Sequence, residues 1–490
     1  MTVLSRLRHV RYAVVLGSAA VAVAGAMITG SASPAAAATT APCDIYASNG
    51  TPCVAAHSTT RALFGAYNGR LYQVRRSSDG ATTDVGTLSA GGFANAATQD
   101  SFCANTSCVI TIIYDQTGRN NNLTQAPAGG AAGGPDNLAD AKALPVMAGG
   151  NKVYGVFVAP GTGYRNDATN GIATGSQSQG EYMVAAGNHV NSGCCFDYGN
   201  AESNARDNGN GHMGAVYFGT LCWFGFVVPG QCVGSGPWVM ADLENGLFAG
   251  ANGTNTNNTG RNSTFVTGMV KMNSTTYAIK DADATSGGLK TDYNGPLPTT
   301  SGYTPLHLEG GIILGIGGDN SKGSAGSFFE GVMTSGMPSD AAENAVQANI
   351  TAVGYSLAPV TGATGPIVAG DNGSVCVDNN NAAATPGNKV QMFTCNGFAA
   401  AQSWTVASNG TIQIDGGCLD ITGANSANGT LIEWWTCNGG SNQQWQAVNG
   451  QLVNPATGKC LDDPNFNTAN GTQLVLWTCN GGSNQQWHLP

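Results

Sequence analysis

Two acidic side chains interrupt an otherwise apolar stretch near the middle of the chain. Asp242 and Glu244 lie within the segment Trp238–Phe248, together with Asn245. In a β-strand, residues two positions apart share one face, so the spacing predicts that both carboxyl groups point in the same direction. Two like charges held close together raise the pKa of at least one of them, and such groups are common at catalytic sites.

A third acidic residue follows a second apolar run. Asp319 comes directly after Ile312–Ile316 and the pair Gly317 and Gly318. Glycines allow a ligand to approach the backbone closely. Hydrolysis of a glycosidic bond needs two carboxyl groups, one as nucleophile or base and one as acid. The three acids are candidates for this chemistry; the alternative is a strand-end turn with a structural Asp and a partnered Glu.

Little in the sequence points to other catalytic classes. The six histidines do not stand at metal-ligand spacing, and the GxSxG motif of serine hydrolases does not occur. The glycine-rich segment 209–214 matches a dinucleotide-binding pattern, but asparagine-rich sequence surrounds it and no strand precedes it, so it is interpreted as a turn. We therefore expect neither a metal nor an organic cofactor.

The elements that must position these acids are predicted to be strands. Only 10% of the 490 residues are charged, against about 25% in typical soluble proteins, and 71 are glycines. Such a composition favours short strands and many turns over helices. Hydrophobic residues make up 42% of the chain, which is enough for a sizeable core. The formal net charge of −10 argues against a nucleic-acid partner.

The N-terminus has the organisation of a secretory signal peptide. Three arginines precede an apolar run over residues 13–28, and small residues that offer a cleavage site follow it. The alternative, a membrane anchor, is disfavoured because the run is about 16 residues long and a membrane-spanning helix needs about 20. Residues 1–38 are therefore assigned to a signal peptide, and the mature protein is expected to be secreted, without a membrane partner.

Six cysteines divide the C-terminal part of the chain into three repeats. Each pair is separated by 19 residues, the first cysteine recurs every 42 residues, and a Gln-x-Trp motif closes each unit at Trp404, Trp445 and Trp487. A fixed period of this length indicates a repeat architecture. The repeats are assigned to a domain at residues 367–490, which follows a Pro- and Gly-containing linker at residues 356–366.

The three repeats resemble a ricin-B-type β-trefoil lectin module of carbohydrate-binding module family 13. The resemblance implies that the tryptophans of the Gln-x-Trp motifs are core residues. It also implies a sugar site in each lobe, formed by the Asp after the first cysteine, the aromatic residue before the second, and an Asn before the Gln. In the second and third lobes these residues are Asp420, Trp435, Asn442, Asp462, Trp477 and Asn484.

The first lobe departs from this pattern. It has Asp378 and Phe393, but Ala401 stands where Asn is expected. Aromatic faces stack on the apolar faces of sugar rings, while Asp and Asn hydrogen-bond to hydroxyl groups. We therefore expect two competent lobes and a weak or inactive first lobe. The alternative is a trefoil that has lost sugar binding and serves as a spacer.

Residues 39–355 are expected to form a β-sandwich. Short apolar segments bounded by Gly, Asn and Asp are typical of strands, as at Cys108–Tyr114, Val153–Val158 and Gly310–Gly315. Only Ser339–Ile350 has a plain helical pattern, and it begins with a plausible N-cap serine. The region is thus all-β in class, with one clear helix.

The same region resembles the catalytic domain of glycoside hydrolase family 54, the retaining α-L-arabinofuranosidases. Matching motifs run in order over nearly its whole length: Pro42–Tyr46, Arg61–Tyr67, Ile113–Arg119, Gly193–Gly199, Met240–Asn245 and Leu314–Asn320. The resemblance implies a β-sandwich in which Glu244 is the nucleophile and Asp319 the acid/base. Residues that it places against the sugar are Asp242, Asn245, Gly318, Asn320 and a vicinal disulfide, Cys194–Cys195.

One loop departs from the family pattern. Trp223 is assigned as the family tryptophan that lines the sugar site, but the segment 222–232 is longer than expected, and its terminal cysteines are predicted to form an added disulfide that ties the loop. All fourteen cysteines then have a partner. The predicted disulfides are Cys43–Cys53, Cys103–Cys108, Cys194–Cys195, Cys222–Cys232, Cys376–Cys395, Cys418–Cys437 and Cys460–Cys479.

Taken together, these features predict a secreted, monomeric α-L-arabinofuranosidase that releases terminal arabinofuranose from arabinoxylan or arabinan. Retention of configuration predicts a separation of about 5–5.5 Å between the two catalytic carboxyl groups. The trefoil is expected to target the enzyme to plant cell-wall polysaccharide. Two alternatives stay open: a bimodular lectin with an inactive sandwich, and another exo-glycosidase such as a β-xylosidase.

Overall fold

The computed structural model describes residues 40–490, apart from positions 105, 223–231, 251, 358–362, 408–409 and 449. The predicted signal peptide and Trp223 therefore lie outside the described residues. The helices are α1 (Pro42–Ser48), α2 (Ala96–Phe102), α3 (Asp340–Ala352) and α4 (Ala399–Gln402). None of the helices in the described ranges is long and apolar enough to cross a membrane.

Strands dominate the fold. Those before position 358 are β1 (Cys53–Ser58), β2 (Arg70–Arg76), β3 (Thr82–Gly86), β4 (Cys108–Ile113), β5 (Leu123–Gln125), β6 (Pro145–Ala148), β7 (Asn151–Tyr154), β8 (Val156–Val158), β9 (Tyr164–Asn166), β10 (Gln179–Ala186), β11 (Asp197–Ala201), β12 (Gly214–Gly219), β13 (Trp238–Asp242), β14 (Leu247–Phe248), β15 (Phe265–Met272), β16 (Thr276–Asp283), β17 (Lys290–Pro296), β18 (Gly311–Leu314), β19 (Gly326–Ser335) and β20 (Ser356–Leu357). Those after position 362 are β21 (Thr364–Gly365), β22 (Val368–Ala369), β23 (Val375–Asn379), β24 (Asn388–Thr394), β25 (Trp404–Val406), β26 (Ile412–Ile414), β27 (Gly417–Ile421), β28 (Thr430–Thr436), β29 (Gln446–Val448), β30 (Gln451–Asn454), β31 (Lys459–Asp462), β32 (Val475–Thr478) and β33 (Trp487–His488).

Two large antiparallel sheets and a small third one, of order β20-β6-β7, form the N-terminal part of the fold. The first has the order β1-β19-β10-β15-β16-β17, with β8 also paired to β19, and the second has the order β14-β13-β12-β11-β18-β9-β5-β4-β2-β3. The sheets pack closely: a Cβ atom built on Gly268 in β15 would lie 3.1–3.2 Å from Val216 in β12 and Val239 in β13. The predicted β-sandwich is therefore confirmed.

The central strands of the first sheet are buried on both faces. The second sheet covers one face, and α3 lies against the other, where Lys271 and Lys280 reach it through ion pairs to Asp340 (2.6 and 2.7 Å) and Glu343 (2.8 and 2.6 Å). Helix α3 begins as predicted after Ser339, whose hydroxyl accepts a hydrogen bond from the amide of the third helical residue. The segments predicted as strands at 108–114 and 310–315 are β4 and β18.

The prediction of one strand over 153–158 is wrong. The segment contains the end of β7 and the whole of β8, which belong to different sheets and are separated by Gly155. A Cβ atom at this position would lie 2.6 Å from Leu144 and 2.8 Å from Phe329. The missing side chain lets the backbone pass between these two residues and change sheets, which a run of apolar residues does not disclose.

The C-terminal part repeats one unit three times around a shared core. Each Gln-x-Trp tryptophan is buried, and its indole N–H donates to a backbone carbonyl of the strand that opens its lobe, at Val377, Leu419 and Leu461 (2.9, 2.9 and 3.1 Å). The disulfide of each lobe joins Cα atoms 5.1 Å apart. This threefold equivalence is the geometry expected of a β-trefoil.

Candidate active site

A cavity of about 480 Å³ opens in the sandwich domain beside the edge strands β13 and β14. It brings together most of the residues that the sequence singled out. The predicted residues in its wall are Cys194, Cys195, Asp242, Glu244, Asn245, Gly318 and Asp319. Other wall residues that the sequence analysis did not select are Ser192, Glu202, Asp207, Met213, Leu221, Gly317 and Ser321.

Asp242 and Glu244 converge on the cavity for a different reason than predicted. Strand β13 ends at Asp242, so Glu244 is not a strand residue and the two do not share a strand face. Glu244 and Asn245 lie in a turn and have φ values of +58° and +53°, a conformation that is uncommon outside glycine. The amide of Glu244 donates to Asp242 Oδ1 at 3.0 Å, which folds the turn back onto the strand end.

A tyrosine from another segment holds this turn in place. The hydroxyl of Tyr303 donates to the carbonyl oxygens of Leu243 and Glu244, and its ring packs against Phe248 in β14 with centroids 5.2 Å apart. Tyr303 is buried. Unusual backbone conformations persist where the surroundings determine them strongly, so these contacts explain how the turn is maintained.

Glu244 is surrounded by both donors and acids. Its carboxylate accepts hydrogen bonds from the amides of His212 (2.7 Å) and Asn208 (3.2 Å). The pKa of Glu244 is raised to about 10. Burial is the largest cause, and the interaction with the neighbouring Glu202 carboxyl group and its charge follow. Burial also raises the pKa of Glu202. Two coupled carboxyl groups titrate as a pair, and this pair is not fully ionised near neutral pH.

Glu202 is the most important residue that the sequence analysis missed. It follows β11, is 1% exposed, and its carbonyl oxygen accepts a hydrogen bond from the guanidinium of Arg165. A Cβ atom at Gly318 would lie 1.7 Å from Glu202 Oε2, so the glycine is required by this carboxylate. In the sequence, Glu202 could have been noticed as an acid close to the end of a strand in a chain with few charges. Asp319 was selected by a similar pattern, an acid after an apolar run.

A second pair of carboxyl groups lies behind the cavity wall. The carboxyl groups of Asp242 and of Asp197 in β11 lie close together. Burial is the largest cause that raises the pKa of Asp242 to about 7 and that of Asp197 well above its usual value. Their oxygens and Cys195 Sγ lie within 4.8 Å of one another, as metal ligands would. However, this sulfur is in a disulfide and is not a thiolate, so the set lacks one of its three ligands.

Asp319 projects from a loop that Arg165 anchors. The Arg165 guanidinium donates to the carbonyl of Gly318 at 2.6 Å, and Asp319 Oδ1 accepts from the amide of Ser321 at 2.9 Å. The predicted contact of Asn320 with the sugar is not supported. Asn320 has φ +70°, is fully buried and donates to Pro127 O and Asp136 Oδ1 (3.0 and 3.1 Å), so its side chain supports the loop from behind.

The vicinal disulfide forms another part of the wall. Cys194 and Cys195 are bonded to each other, and the Ser321 hydroxyl contacts Cys194 Sγ at 3.7 Å. Among the described residues, the structure contains all seven predicted disulfides, including Cys222–Cys232 at the ends of the long loop. The assignment of Trp223 within that loop lies outside the described residues.

The second and third lobes of the trefoil have the same polar arrangement. In the second, Asp420 accepts from Asn442 (2.9 Å) and Gln443 (2.7 Å). In the third, Asp462 accepts from Asn484 (3.0 Å) and Gln485 (2.8 Å). The aromatic residues Trp435 and Trp477 are 39% and 41% exposed, which is high for tryptophan and leaves a face available to a ligand.

The first lobe differs at the position of the missing amide. Asp378 accepts hydrogen bonds from Gln391 and Gln402, both at 3.0 Å, and Ala401 is buried. Gln391 thus satisfies the carboxylate that an Asn satisfies in the other lobes. Because this amide comes from a neighbouring strand, the lobe keeps its fold without keeping the same set of polar groups, and its weak or absent sugar binding stays a prediction.

Comparison with known proteins agrees with this geometry. A family model described as "Alpha-L-arabinofuranosidase B, catalytic" matches residues 42–356, and one described as "Ricin-type beta-trefoil lectin domain" matches residues 363–487. A probable alpha-L-arabinofuranosidase B of Aspergillus terreus is 61% identical over 328 residues, which are 65% of this chain and 63% of that protein. The chain thus spans 63% of the length of this relative.

Solved structures of the same enzyme class are similar over most of the chain. One is a glutamate-to-glutamine mutant of a family 54 α-L-arabinofuranosidase soaked with 4-nitrophenyl α-L-arabinofuranoside (38% identity, TM-score 0.65), and another is an arabinofuranosidase complexed with arabinofuranosyl-α-1,2-xylobiose (38%, 0.64). Each match covers 91% of this chain and 98% of the solved one. The chain therefore belongs to glycoside hydrolase family 54, the family of alpha-L-arabinofuranosidase B catalytic domains, and carries a ricin-type β-trefoil domain in addition.

Proposed function

We propose that the protein is a secreted, retaining α-L-arabinofuranosidase that removes terminal arabinofuranose from a neutral plant polysaccharide. The observation that carries this proposal is the cavity whose wall contains both Glu244 and Asp319. Its volume of about 480 Å³ is within the usual range of roughly 300–1,000 Å³ for small-ligand sites, so it has room for one terminal sugar.

In the first step, Glu244 attacks the anomeric carbon while Asp319 protonates the leaving oxygen. The amides of His212 and Asn208 stabilise the ionised form of the nucleophile, since both donate to its carboxylate. The pair retains a proton near neutral pH, and Glu244 can attack only when Glu202 carries that proton. The product of this step is a covalent arabinosyl-enzyme.

In the second step, Asp319 removes a proton from water, which attacks the same anomeric carbon and releases Glu244. Two inversions give net retention. Asp242 and Asn245 are placed to hydrogen-bond to sugar hydroxyl groups, and the vicinal disulfide Cys194–Cys195 offers an apolar surface to the ring. Gly318 contributes mainly by giving room to Glu202.

Hydrolysis of 4-nitrophenyl α-L-arabinofuranoside tests the assignment. We expect Glu244→Gln to reduce kcat by about 10⁴-fold or more, because the covalent step is lost. We expect Asp319→Asn to reduce kcat by about 10²–10⁴-fold, the usual contribution of a general acid/base. Asp79→Asn changes an exposed acid and is the control. Full activity of Glu244→Gln would refute the mechanism.

Azide distinguishes the two roles. With Asp319→Ala, azide can attack the arabinosyl-enzyme without a general base, so the α-linked azide should form. With Glu244→Ala, azide can occupy the position of the nucleophile and should give the β-linked azide. Proton NMR of the products measures the outcome, and the reverse pair of products would exchange the two assignments.

The remaining features support a secreted, targeted enzyme rather than a bimodular lectin. Acids that are required for hydrolysis are present together in the cavity, which an inactive sandwich would have no reason to keep. Seven disulfides suit an oxidising, extracellular compartment. We propose arabinoxylan or arabinan as the polymer and a monomer as the active form. Assays with nitrophenyl α-L-arabinofuranoside and nitrophenyl β-D-xyloside, side by side, distinguish this proposal from the β-xylosidase alternative. Faster hydrolysis of the xyloside would favour the alternative.

A further inference from the structure

The third lobe of the trefoil has an aromatic residue that the other two lack. Phe466 is 59% exposed. Ala424 stands 42 residues earlier and Ala382 a further 42 residues earlier. All three share the same rare backbone conformation, with φ values of +56°, +52° and +51°. The positions are therefore structurally equivalent, and only the third lobe exposes a large apolar side chain there.

Phe466 lies beside the polar residues assigned to the third sugar site. It ends a 3-10 turn, Pro464–Phe466, that packs on another 3-10 turn, Ser483–Gln485, which contains Asn484. Its ring approaches within 3.5 Å of where a Cβ atom would stand on Gly482. A second aromatic residue near one sugar site is the arrangement that binds more than one ring of a chain.

The same lobe lies against the sandwich domain. A Cβ atom on Gly481 would lie 3.8 Å from the imidazole of His189 and 3.9 Å from Ala325. His189 is buried, stacks on Phe157 with ring centroids 4.1 Å apart and contacts Ser327 Oγ at 2.9 Å. The surface beneath Gly481 is therefore well packed.

Only a few residues separate this contact from the wall of the cavity. Asn191, two positions after His189, accepts hydrogen bonds from the amides of Gly193 (3.0 Å) and Ala325 (2.9 Å) and donates to the carbonyl of Gly323 (3.0 Å). Ser192 and Cys194 are wall residues of the cavity. The segment that supports the third lobe thus continues directly into the site that holds the two catalytic candidates.

We propose that the third lobe binds the main chain of the same polysaccharide molecule whose arabinose branch occupies the cavity, with Phe466 as a second stacking surface. The second lobe has no such aromatic residue and only anchors the enzyme to the polymer. This inference rests on the proposed function, because it requires the cavity to receive a branch sugar. Two sites that hold one chain raise its effective concentration, so the benefit is confined to polymeric substrates.

Steady-state kinetics of the full chain on soluble arabinoxylan and on branched arabinan test the inference. We expect Phe466→Ala to raise KM for the preferred polymer by about 3- to 10-fold, the loss expected for one aromatic contact, with kcat unchanged. Trp477→Ala should act in the same direction. The polymer for which KM rises identifies the main chain. Phe398→Ala is a matched control, since Phe398 is 54% exposed but belongs to the first lobe.

Two further measurements keep the outcomes distinct. Trp435→Ala, in the second lobe, should reduce retention on insoluble polymer and leave KM for soluble polymer unchanged. Phe398→Ala should leave the kcat/KM for 4-nitrophenyl α-L-arabinofuranoside unchanged, and the effect of Phe466→Ala is expressed as the ratio of its polymer KM to its nitrophenyl KM. Equal effects of Phe466→Ala and Phe398→Ala, or no effect of Phe466→Ala on either polymer, would overturn this inference alone. A wild-type enzyme unable to hydrolyse the nitrophenyl substrate would instead overturn the proposed function.

Discussion

At the scale of single residues, the site is crowded with acids. The carboxyl group of Glu244 interacts with that of Glu202, and the carboxyl group of Asp242 interacts with that of Asp197. Two ionised carboxylates cannot hydrogen-bond to each other, so each pair is favourable only when one of its members carries a proton. A nucleophile must be ionised, so the proton of the first pair has to reside on Glu202 during catalysis. Under the proposed mechanism, Glu202 is therefore a positioning residue that controls the charge of Glu244.

Replacement of Glu202 by glutamine tests this role. The substitution leaves a neutral amide donor that cannot lose its proton beside Glu244, and this lowers the pKa of Glu244. We expect the acidic limb of the pH profile of kcat/KM to move to lower pH by about one unit or more, since this limb reports ionisation of the free nucleophile. Asp79→Asn should leave the profile unchanged. An acidic limb that stays in place would show that Glu202 only fills space.

The scarcity of charged residues explains why three acids of the cavity could be selected from the sequence. Asp242, Glu244 and Asp319 stand out in sequence because so few other acids occur near apolar runs. The side-chain direction of Asn320 could not be predicted because it depends on a left-handed backbone conformation, and motif spacing does not contain that information. Glu202 was missed because its importance arises from its approach to Gly318, which is far away in sequence.

At the scale of elements, a turn rather than a strand presents Glu244, the proposed nucleophile. The alternation rule placed Asp242 and Glu244 on one face of a strand, but β13 ends one residue before the tight turn begins. The turn is held by Tyr303, which follows a separate 3-10 turn at Thr300–Gly302. Such a long-range contact leaves no periodic signal, which is why the strands could be predicted and the turn could not.

The contribution of this tyrosine is measurable. Tyr303→Phe keeps the ring that packs on Phe248 and removes only the hydroxyl that donates to two carbonyl groups. We expect a loss of about 1–3 kcal/mol in the free energy of unfolding, because buried acceptors lose their donor. We also expect kcat to fall by up to about 100-fold, the usual effect of a misplaced catalytic group.

Tyr293→Phe is the matched control for this change. Its hydroxyl also donates to a backbone carbonyl, that of Pro296 at 2.8 Å, but at an exposed position in β17. Urea unfolding followed by fluorescence and kinetics on the nitrophenyl substrate give both quantities. A Tyr303→Phe variant with wild-type kcat would mean that the turn keeps its shape without the hydroxyl.

At the scale of the whole molecule, the buried carboxyl groups should make the folded protein less stable as the pH rises. Burial raises the pKa of Glu181, Asp197, Glu202, Asp242 and Glu244. A raised carboxyl pKa contributes stability that is complete below the unfolded values of 3.8–4.5 and is lost as pH rises through the folded value. For Asp242 the folded value is about 7.

Ion pairs on the surface of α3 make stability change with pH in the opposite direction. Lys271 and Lys280 lower the pKa of Asp340 to about 2, so this group contributes stability above its unfolded value of 3.8 that is lost as the pH falls towards 2. The free energy of unfolding should therefore be largest in mildly acidic solution. At lower pH the ion pairs of Asp340 on α3 are lost, and at higher pH the buried carboxyl groups become ionised.

Calorimetry at several pH values tests this balance. We expect Tm to be higher at pH 5 than at pH 8, because the proton of the Asp242 and Asp197 pair, with a folded pKa of about 7 for Asp242, is lost over that interval and leaves like charges buried. Asp242→Asn should weaken the dependence, since Asp197 then has an amide partner that carries no charge. A Tm that rises from pH 5 to pH 8 would contradict the proton that this pair is argued to hold.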